Sequence, residues 1–232
     1  GVEIDPDAVC ARAPDLLVLA VGAEPRRPAV AGLDRHPDAV TAEALLRRER
    51  PAGRRVAVIG AGGVGVEIAI HLAGEGEPSL EALGFLARYG ERAWLEEALA
   101  ARFGREVTLL RRRGYAGRGL ARTVRWTLLR DLERLGVRVL DRAEVRRVTP
   151  AGLVVFDGRA DEEVELDADT IVLATGYEPD PALAERYAGT ARRVVVAGGG
   201  AAAGGIGEAI RAAESCLDAI AAPGSDGGLE HQ

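Results

Sequence analysis

With 232 residues and 47% hydrophobic side chains, the chain has material for a substantial core and room for one large or two small domains. A formal charge of −6 argues against the basic field by which nucleic-acid binders grip a phosphate backbone, and no apolar run approaches the roughly 20 residues of a membrane span. Cys10 and Cys216 form neither a Cys-x-x-Cys nor a metal-ligand spacing, so no disulfide framework or metal site is expected, and a reducing cytoplasm is the expected compartment.

In chain order, Leu16-Leu17-Val18-Leu19-Ala20-Val21-Gly22 is a continuous apolar run with a glycine exit, the pattern of a parallel strand covered on both faces. The chain begins at Gly1 rather than at a methionine and enters this strand early, from which a piece of a longer polypeptide is expected. The prolines of Glu24-Pro25-Arg26-Arg27-Pro28 bar helix at the residues before them and predict an extended connector. Thr41 is placed to cap a short helix through Arg48, which Pro51-Ala52-Gly53 ends.

The apolar run Val56-Ala57-Val58-Ile59 then leads into Gly60-Ala61-Gly62-Gly63-Val64-Gly65, whose glycines are spaced G-x-G-x-x-G, and into the helical stretch Val66 to Ala73. This strand, turn and helix form the pattern of a dinucleotide-binding turn. Gly60 permits a tight exit from the strand, Gly62 close approach of backbone to a pyrophosphate, and Gly65 close packing of helix on strand. The unpaired N–H groups at the helix start would face the phosphates. The alternative reading of the same glycines is plain packing of a helix on a strand.

Past the breakers Gly74-Glu75-Gly76-Glu77-Pro78, residues Ser79 to Phe103 read as helical, with Leu83, Leu86, Leu95 and Leu99 as candidate buried positions. The second strand is expected over Glu106 to Leu110. An amphipathic helix follows over Leu120 to Leu135, with Val124, Leu128, Leu132 and Leu135 on one face and Gly136 as its left-handed end. Val137 to Leu140 is the next strand. Val145 to Val148, Leu153 to Phe156 and Val164 to Leu166 are short alternating segments, with a hairpin turn at Asp157-Gly158. Thr170 to Gly176 echoes the first apolar run, Arg193 to Ala197 is a further strand ending in Gly198-Gly199-Gly200, and Ile206 to Ile220 is the closing helix. The expected class is α/β: a Rossmann-like three-layer nucleotide-binding domain with a β-hairpin or meander crossover.

The order of these elements resembles the two-dinucleotide flavoproteins, in which an NAD(P)-binding domain is inserted between two parts of an FAD-type domain. Within that architecture, the turn at Gly60 to Gly65, the long insertion before the second strand, Leu110-Arg111-Arg112, Gly117 to Thr123 with Trp126, and Ala174 to Pro179 resemble the C-terminal region of the 2,4-dienoyl-CoA reductase and trimethylamine dehydrogenase group of NADH:flavin oxidoreductases, over nearly the whole chain. The resemblance implies a first segment of the FAD-type domain at residues 1–32, an NAD(P)-binding domain at 33–176 and a return segment of the FAD-type domain at 177–232. It implies passage of hydride from NAD(P)H to FAD, and onward reduction of an unsaturated acyl-CoA-like or other substrate through a 4Fe-4S cluster and FMN in an N-terminal barrel. That barrel and the rest of the FAD half-domain are then the expected partners, beside small-molecule dinucleotides, and the isolated chain is expected to be inactive. The amine-dehydrogenase branch implies an alternative, a non-catalytic ADP-binding structural module.

An NAD-selective site would place a carboxylate for the ribose 2′-hydroxyl at the end of the second strand. Here Arg111-Arg112-Arg113 stands instead, and its charged planar forks suit a 2′-phosphate, favouring NADP over NAD with Arg111 and Arg112 foremost. The alternative is a solvated basic turn. Arg118 and Arg122 are candidates for a second contact or for packing against a neighbouring domain. Ala174-Thr175-Gly176 is expected against the nicotinamide half of the nucleotide and Ala20-Val21-Gly22 beside FAD; the resemblance places Gly198 and Gly199 along the flavin's ribityl-phosphate arm. Glu67 is a candidate to orient the nicotinamide ring near the flavin junction, with a solvated first-turn acid favoured by the helix dipole as the preferred reading. No catalytic side chain is assigned, because nicotinamide and flavin carry hydride chemistry themselves. His36, His71 and His231 are scattered, and Trp94 and Trp126 read as core or interdomain aromatics. A disulfide oxidoreductase of the same architecture is disfavoured by the lack of paired redox cysteines.

Overall fold

A computed structural model describes residues 4–90, 92–93, 96, 104–201 and 204–221. The chain divides into two compact units, one of Arg27–Thr175 and one of Gly1–Arg26 with Gly176–Gln232.

The larger unit carries β3 (Ala39–Thr41), α2 (Ala42–Leu46), β4 (Arg55–Ile59), α3 (Gly63–Ala73), α4 (Leu80–Tyr89), β5 (Glu106–Arg111), α5 (Arg122–Arg134), β6 (Arg138–Asp141), β7 (Ala143–Thr149), β8 (Gly152–Asp157), β9 (Glu162–Asp167) and β10 (Thr170–Leu173). Five of these strands form one parallel sheet in the order β3-β10-β4-β5-β6, and β7, β8 and β9 form an antiparallel meander. Alternation along the central strands assigns the two faces. Val56, Val58, Val107, Leu109 and Val172 pack with Val66, Ile68, Ala69 and Leu72 of α3, Leu132 of α5 and Leu45 of α2. The intervening residues Ala57, Ile59, Ile171 and Leu173, with Leu110, pack with Leu153 and Val155 of the meander. The result is helices, sheet and meander in three layers, the expected class.

The smaller unit holds α1 (Pro6–Cys10), β1 (Leu16–Leu19), β2 (Glu24–Pro25), β11 (Tyr177–Glu178), α6 (Leu183–Arg186), β12 (Arg193–Val196) and α7 (Ile206–Ala221). β1 and β12 pair in parallel, and β2 and β11 in antiparallel, so part of the predicted connector is a short strand. Leu19, Leu183 and Val194 form its small core.

Several expectations are corrected. β1 has only β12 beside it among the described residues, and Val18 is 40% exposed, so this run is not covered on both faces. β3 was not foreseen. The second strand runs one residue further than expected and includes Arg111. The amphipathic helix begins at Arg122 and buries Leu132, but Val124 and Trp126 are exposed, which overturns a core role for that tryptophan. The long helical stretch is broken at Gly90, where α4 stops with Leu83 and Leu86 half-buried; Arg92, Ala93 and Glu96 are again helical, and Trp94, Leu95, Leu99 and Phe103 lie outside the described residues. The larger compact unit begins at Arg27, and Ala31 O accepts the Val148 N–H at 2.8 Å within it.

Candidate dinucleotide site

β4 lies between β10 and β5. The chain leaves β4 through α3 toward β5 on one flank and returns through the meander to β10 on the other, so connections diverge at the carboxyl end of β4, where α/β sheets bind their ligands. The strand ends are stitched together there: Gly60 N–H donates to Leu110 O at 3.1 Å, and Ala174 N–H donates to Ile59 O at 2.9 Å.

The glycines of this turn have separate physical reasons. Gly60 has φ +108°, and a Cβ on it would overlap the Ala174 carbonyl oxygen. A Cβ on Gly65 would overlap Gly60 O, and one on Gly63 would press on the Leu120 side chain at 3.1 Å. The chain's own packing accounts for these three. Gly62 is different. Its φ of −71° suits any residue, and the nearest atom to an added Cβ is Arg118 O at 3.8 Å. It is the N-cap of α3, a position where Ser, Thr, Asp or Asn would normally supply a capping oxygen, and no side chain caps the helix. The first intrahelical bond is Val66 N–H to Gly62 O at 3.0 Å, so the N–H groups of Gly63, Val64 and Gly65 precede any acceptor within the helix. A cap position with room for a Cβ, no capping side chain and the positive end of an eleven-residue helix form a cradle that suits a pyrophosphate.

The segment after β5 lies against this turn. Gly117 N–H donates to Ala61 O at 2.8 Å, and Gly62 and Arg118 form a parallel bridge. Arg125 holds the segment from α5, donating through Nε to Ala116 O at 2.8 Å with its guanidinium 4.1 Å from the Tyr115 ring centre. Arg118 and Arg122 are exposed.

At the end of β5 the three predicted arginines part company. Arg111 is the last strand residue and pairs with Asp141, the register partner at the end of β6. Arg112 and Arg113 are exposed and make no ion pair among the described residues. Asp141 also pairs with Arg159 from the turn between β8 and β9. Neither Asp141 nor Arg159 was singled out from sequence; Asp141 directly follows the predicted strand Val137 to Leu140, and its place beside Arg111 is readable only from the strand register.

Ala174 and Thr175 follow β10 directly in the larger unit. In the smaller unit, Gly176 turns with φ +96° and its carbonyl accepts the Arg26 N–H at 2.8 Å. Ala20, Val21 and Gly22 are exposed beyond β1, and the structure brings Gly22 against the glycines after β12. A Cβ on Gly199 would lie 3.1 Å from backbone atoms of Gly22 and Ala23, while Gly198 has φ +63°, so chain packing and conformation account for these glycines. Glu67 and His71 are exposed on α3, and His36 Nδ1 accepts the Asp38 N–H at 3.2 Å in a local turn. His231 lies outside the described residues. Cys10 is exposed and Cys216 buried, both free. No helix among the described residues is long and apolar enough to cross a membrane.

A parallel three-layer α/β unit with a glycine turn at the diverging strand end defines a Rossmann-like fold of the FAD/NAD(P)-binding oxidoreductase type. Residues 10–200 match the family described as pyridine nucleotide-disulphide oxidoreductase, and the chain belongs to that family. A metal reductase of Desulforamulus reducens is 29% identical over 207 residues, covering 88% of this chain and 29% of that protein, so the chain spans under a third of this relative. Among solved structures, a 2-naphthoyl-CoA reductase complex matches with a TM-score of 0.72 at 22% identity, over 91% of this chain and 28% of that one. The 6-hydroxypseudooxynicotine amine oxidase of Pseudomonas geniculata N1 matches with a TM-score of 0.66 at 19% identity, over 92% and 30%. At these identities the likeness shows a common fold.

Proposed function

We propose that this chain is the pyridine-nucleotide-binding part of an FAD-dependent oxidoreductase. Gly60 to Gly65 would hold the nucleotide pyrophosphate on backbone N–H groups at the mouth of α3, the arginines after β5 would meet the ribose end, and Ala174-Thr175-Gly176 would border the nicotinamide half. Gly22, with Gly198 and Gly199, would border FAD. Nicotinamide and flavin supply the hydride chemistry when bound, and the protein's part is to bind and orient them. Onward reduction of an unsaturated acyl-CoA-like or other substrate would fall to an N-terminal barrel with FMN and a 4Fe-4S cluster, outside this chain and in the cytoplasm. The observation that carries the nucleotide reading is Gly62, a helix cap without a capping side chain, where an added Cβ would meet nothing closer than Arg118 O at 3.8 Å.

A second reading is a non-catalytic ADP-binding module of a larger flavoprotein. It is favoured by the placement of the whole glycine turn within the Arg27–Thr175 unit, whereas of the glycines expected beside FAD Gly199 is accounted for by its close approach to the backbone of Gly22 and Ala23. Calorimetric titration of NADPH, NADH and ADP, with and without added FAD, separates the two. NADPH binding tighter than ADP, with bleaching of added flavin, supports the first reading, and equal binding without bleaching supports the second. Absence of binding by any of the three refutes both.

A further inference from the structure

We infer that Asp141 is a masked selectivity carboxylate, covered by Arg111, and that Arg112 rather than Arg111 reads a 2′-phosphate on the nucleotide. The inference rests on the nucleotide reading of the Gly60 to Gly65 turn and deepens it at the ribose end.

Arg111 and Asp141 close neighbouring parallel strands in register, at the same carboxyl edge as the glycine turn. Asp141 Oδ1 is shut off from solvent and is ion-paired with Arg111 Nη2, and Oδ2 accepts a hydrogen bond from Arg159 Nη2. The Asp141 and Arg111 side chains are only 17% and 22% exposed, while that of Arg159 is 66% exposed. With Oδ1 closed off from solvent under Arg111 and Oδ2 engaged by Arg159, this carboxylate is not presented to a neutral ribose hydroxyl. Arg111, Arg159 and Asp141 together carry a net positive charge, and Arg112 and Arg113 add two exposed cations without an ion pair among the described residues. Such an edge attracts a phosphate dianion.

Arg111 is thus a positioning residue whose pairing with Asp141 keeps a negative charge away from the phosphate. Its removal uncovers that carboxylate. The uncovered Asp141 would repel a 2′-phosphate and accept a hydrogen bond from a 2′-hydroxyl, the role that an acidic residue plays at this end of NAD-selective folds. The selectivity of the site is therefore set by which partner Asp141 has, as well as by the arginine count.

The test uses calorimetry on the 232-residue chain with NADPH, NADH and ADP. The unaltered chain binds NADPH about ten-fold or more tightly than NADH, the scale of a charge-assisted hydrogen bond. Arg112→Ala lowers NADPH affinity by a similar factor without improving NADH. Arg111→Ala reverses the preference, and Arg111→Met, which keeps the apolar stem, does the same if the alanine variant folds poorly. Adding Asp141→Asn to either variant abolishes the reversal, a dependence that a merely structural role for Arg111 would not produce. Equal loss of both nucleotides in Arg111→Ala and Arg111→Met, a reversal that persists with Asp141→Asn, or no NADPH preference in the unaltered chain overturns the inference while ADP binding keeps the nucleotide reading intact. Failure of all three ligands to bind the unaltered chain overturns both.

Discussion

Asp169 grips Arg55 at both ends. Its Oδ2 accepts the Arg55 backbone N–H at 2.8 Å, and its Oδ1 accepts Arg55 Nη2 at 2.6 Å, so one carboxylate ties the approach to β10 to the first residue of β4. Asp167 adds a second contact to the same guanidinium at 2.8 Å. This clamp lies at the amino end of the two strands whose carboxyl ends form the candidate site.

The clamp gives a pH prediction. Hydrogen bonds from the Arg55 side chain and backbone hold the Asp169 carboxyl below its ordinary range. Its contribution to stability is therefore complete above the unfolded value of about 3.9 and is lost as pH falls through the lower folded value. Denaturant midpoints of the wild type and Asp169→Asn should differ at neutral pH and converge in acid. A gap that stayed constant down to pH 2 would contradict this.

The glycine turn predicts a split between folding and binding. Gly60→Ala combines a left-handed backbone with overlap on the Ala174 carbonyl and should cost at least about 1–3 kcal/mol. Gly62→Ala makes only an ordinary contact with Arg118 O and should cost no more than about 1 kcal/mol, yet its methyl group should lower nucleotide affinity about ten-fold or more, equivalent to about 1.4 kcal/mol. Paired thermal melts and nucleotide titrations read the two effects apart.

Leu109 is fully buried on β5 in the helix-side core, and Leu109→Ala should cost about 2–5 kcal/mol. Phe85 on α4 is 63% exposed, and Phe85→Ala should shift stability by no more than about 0.5 kcal/mol. Urea unfolding of both variants checks the contrast.

Thr41 closes β3 and caps α2, its Oγ1 accepting the Ala44 N–H at 3.2 Å. Thr41→Ala should cost about 1 kcal/mol, and Thr41→Ser should recover most of it. Equal losses in the two variants, measured by denaturant titration, would show that the methyl group matters rather than the cap.

The strand, turn and helix around Gly60 were legible because each part is encoded locally: an apolar run, spaced glycines and an apolar helix face. The Thr41 cap and the turn at Asp157 were legible for the same reason, each resting on one side chain and its near neighbours; Asp157 Oδ1 accepts the Arg159 N–H at 2.8 Å. β3 was not, since three residues carry too little alternation to be distinguished from a connector. The burial of α5 differs from expectation at Val124 because helical spacing gives a face but not how far along the helix its neighbours extend. The partnership of Arg111 with Asp141 spans thirty positions and depends on the alignment of two parallel strands, information that no local pattern contains.

The placement of β10 bears on how the chain acquires its shape. This strand comes last of the five in sequence yet lies between β3 and β4, pairing with Ala39–Thr41 on one side and Val56–Ile59 on the other. During synthesis, two ladder edges must wait unpaired until Thr170–Leu173 has emerged. Such distant pairing slows assembly, and until it is complete those waiting edges invite pairing with other chains.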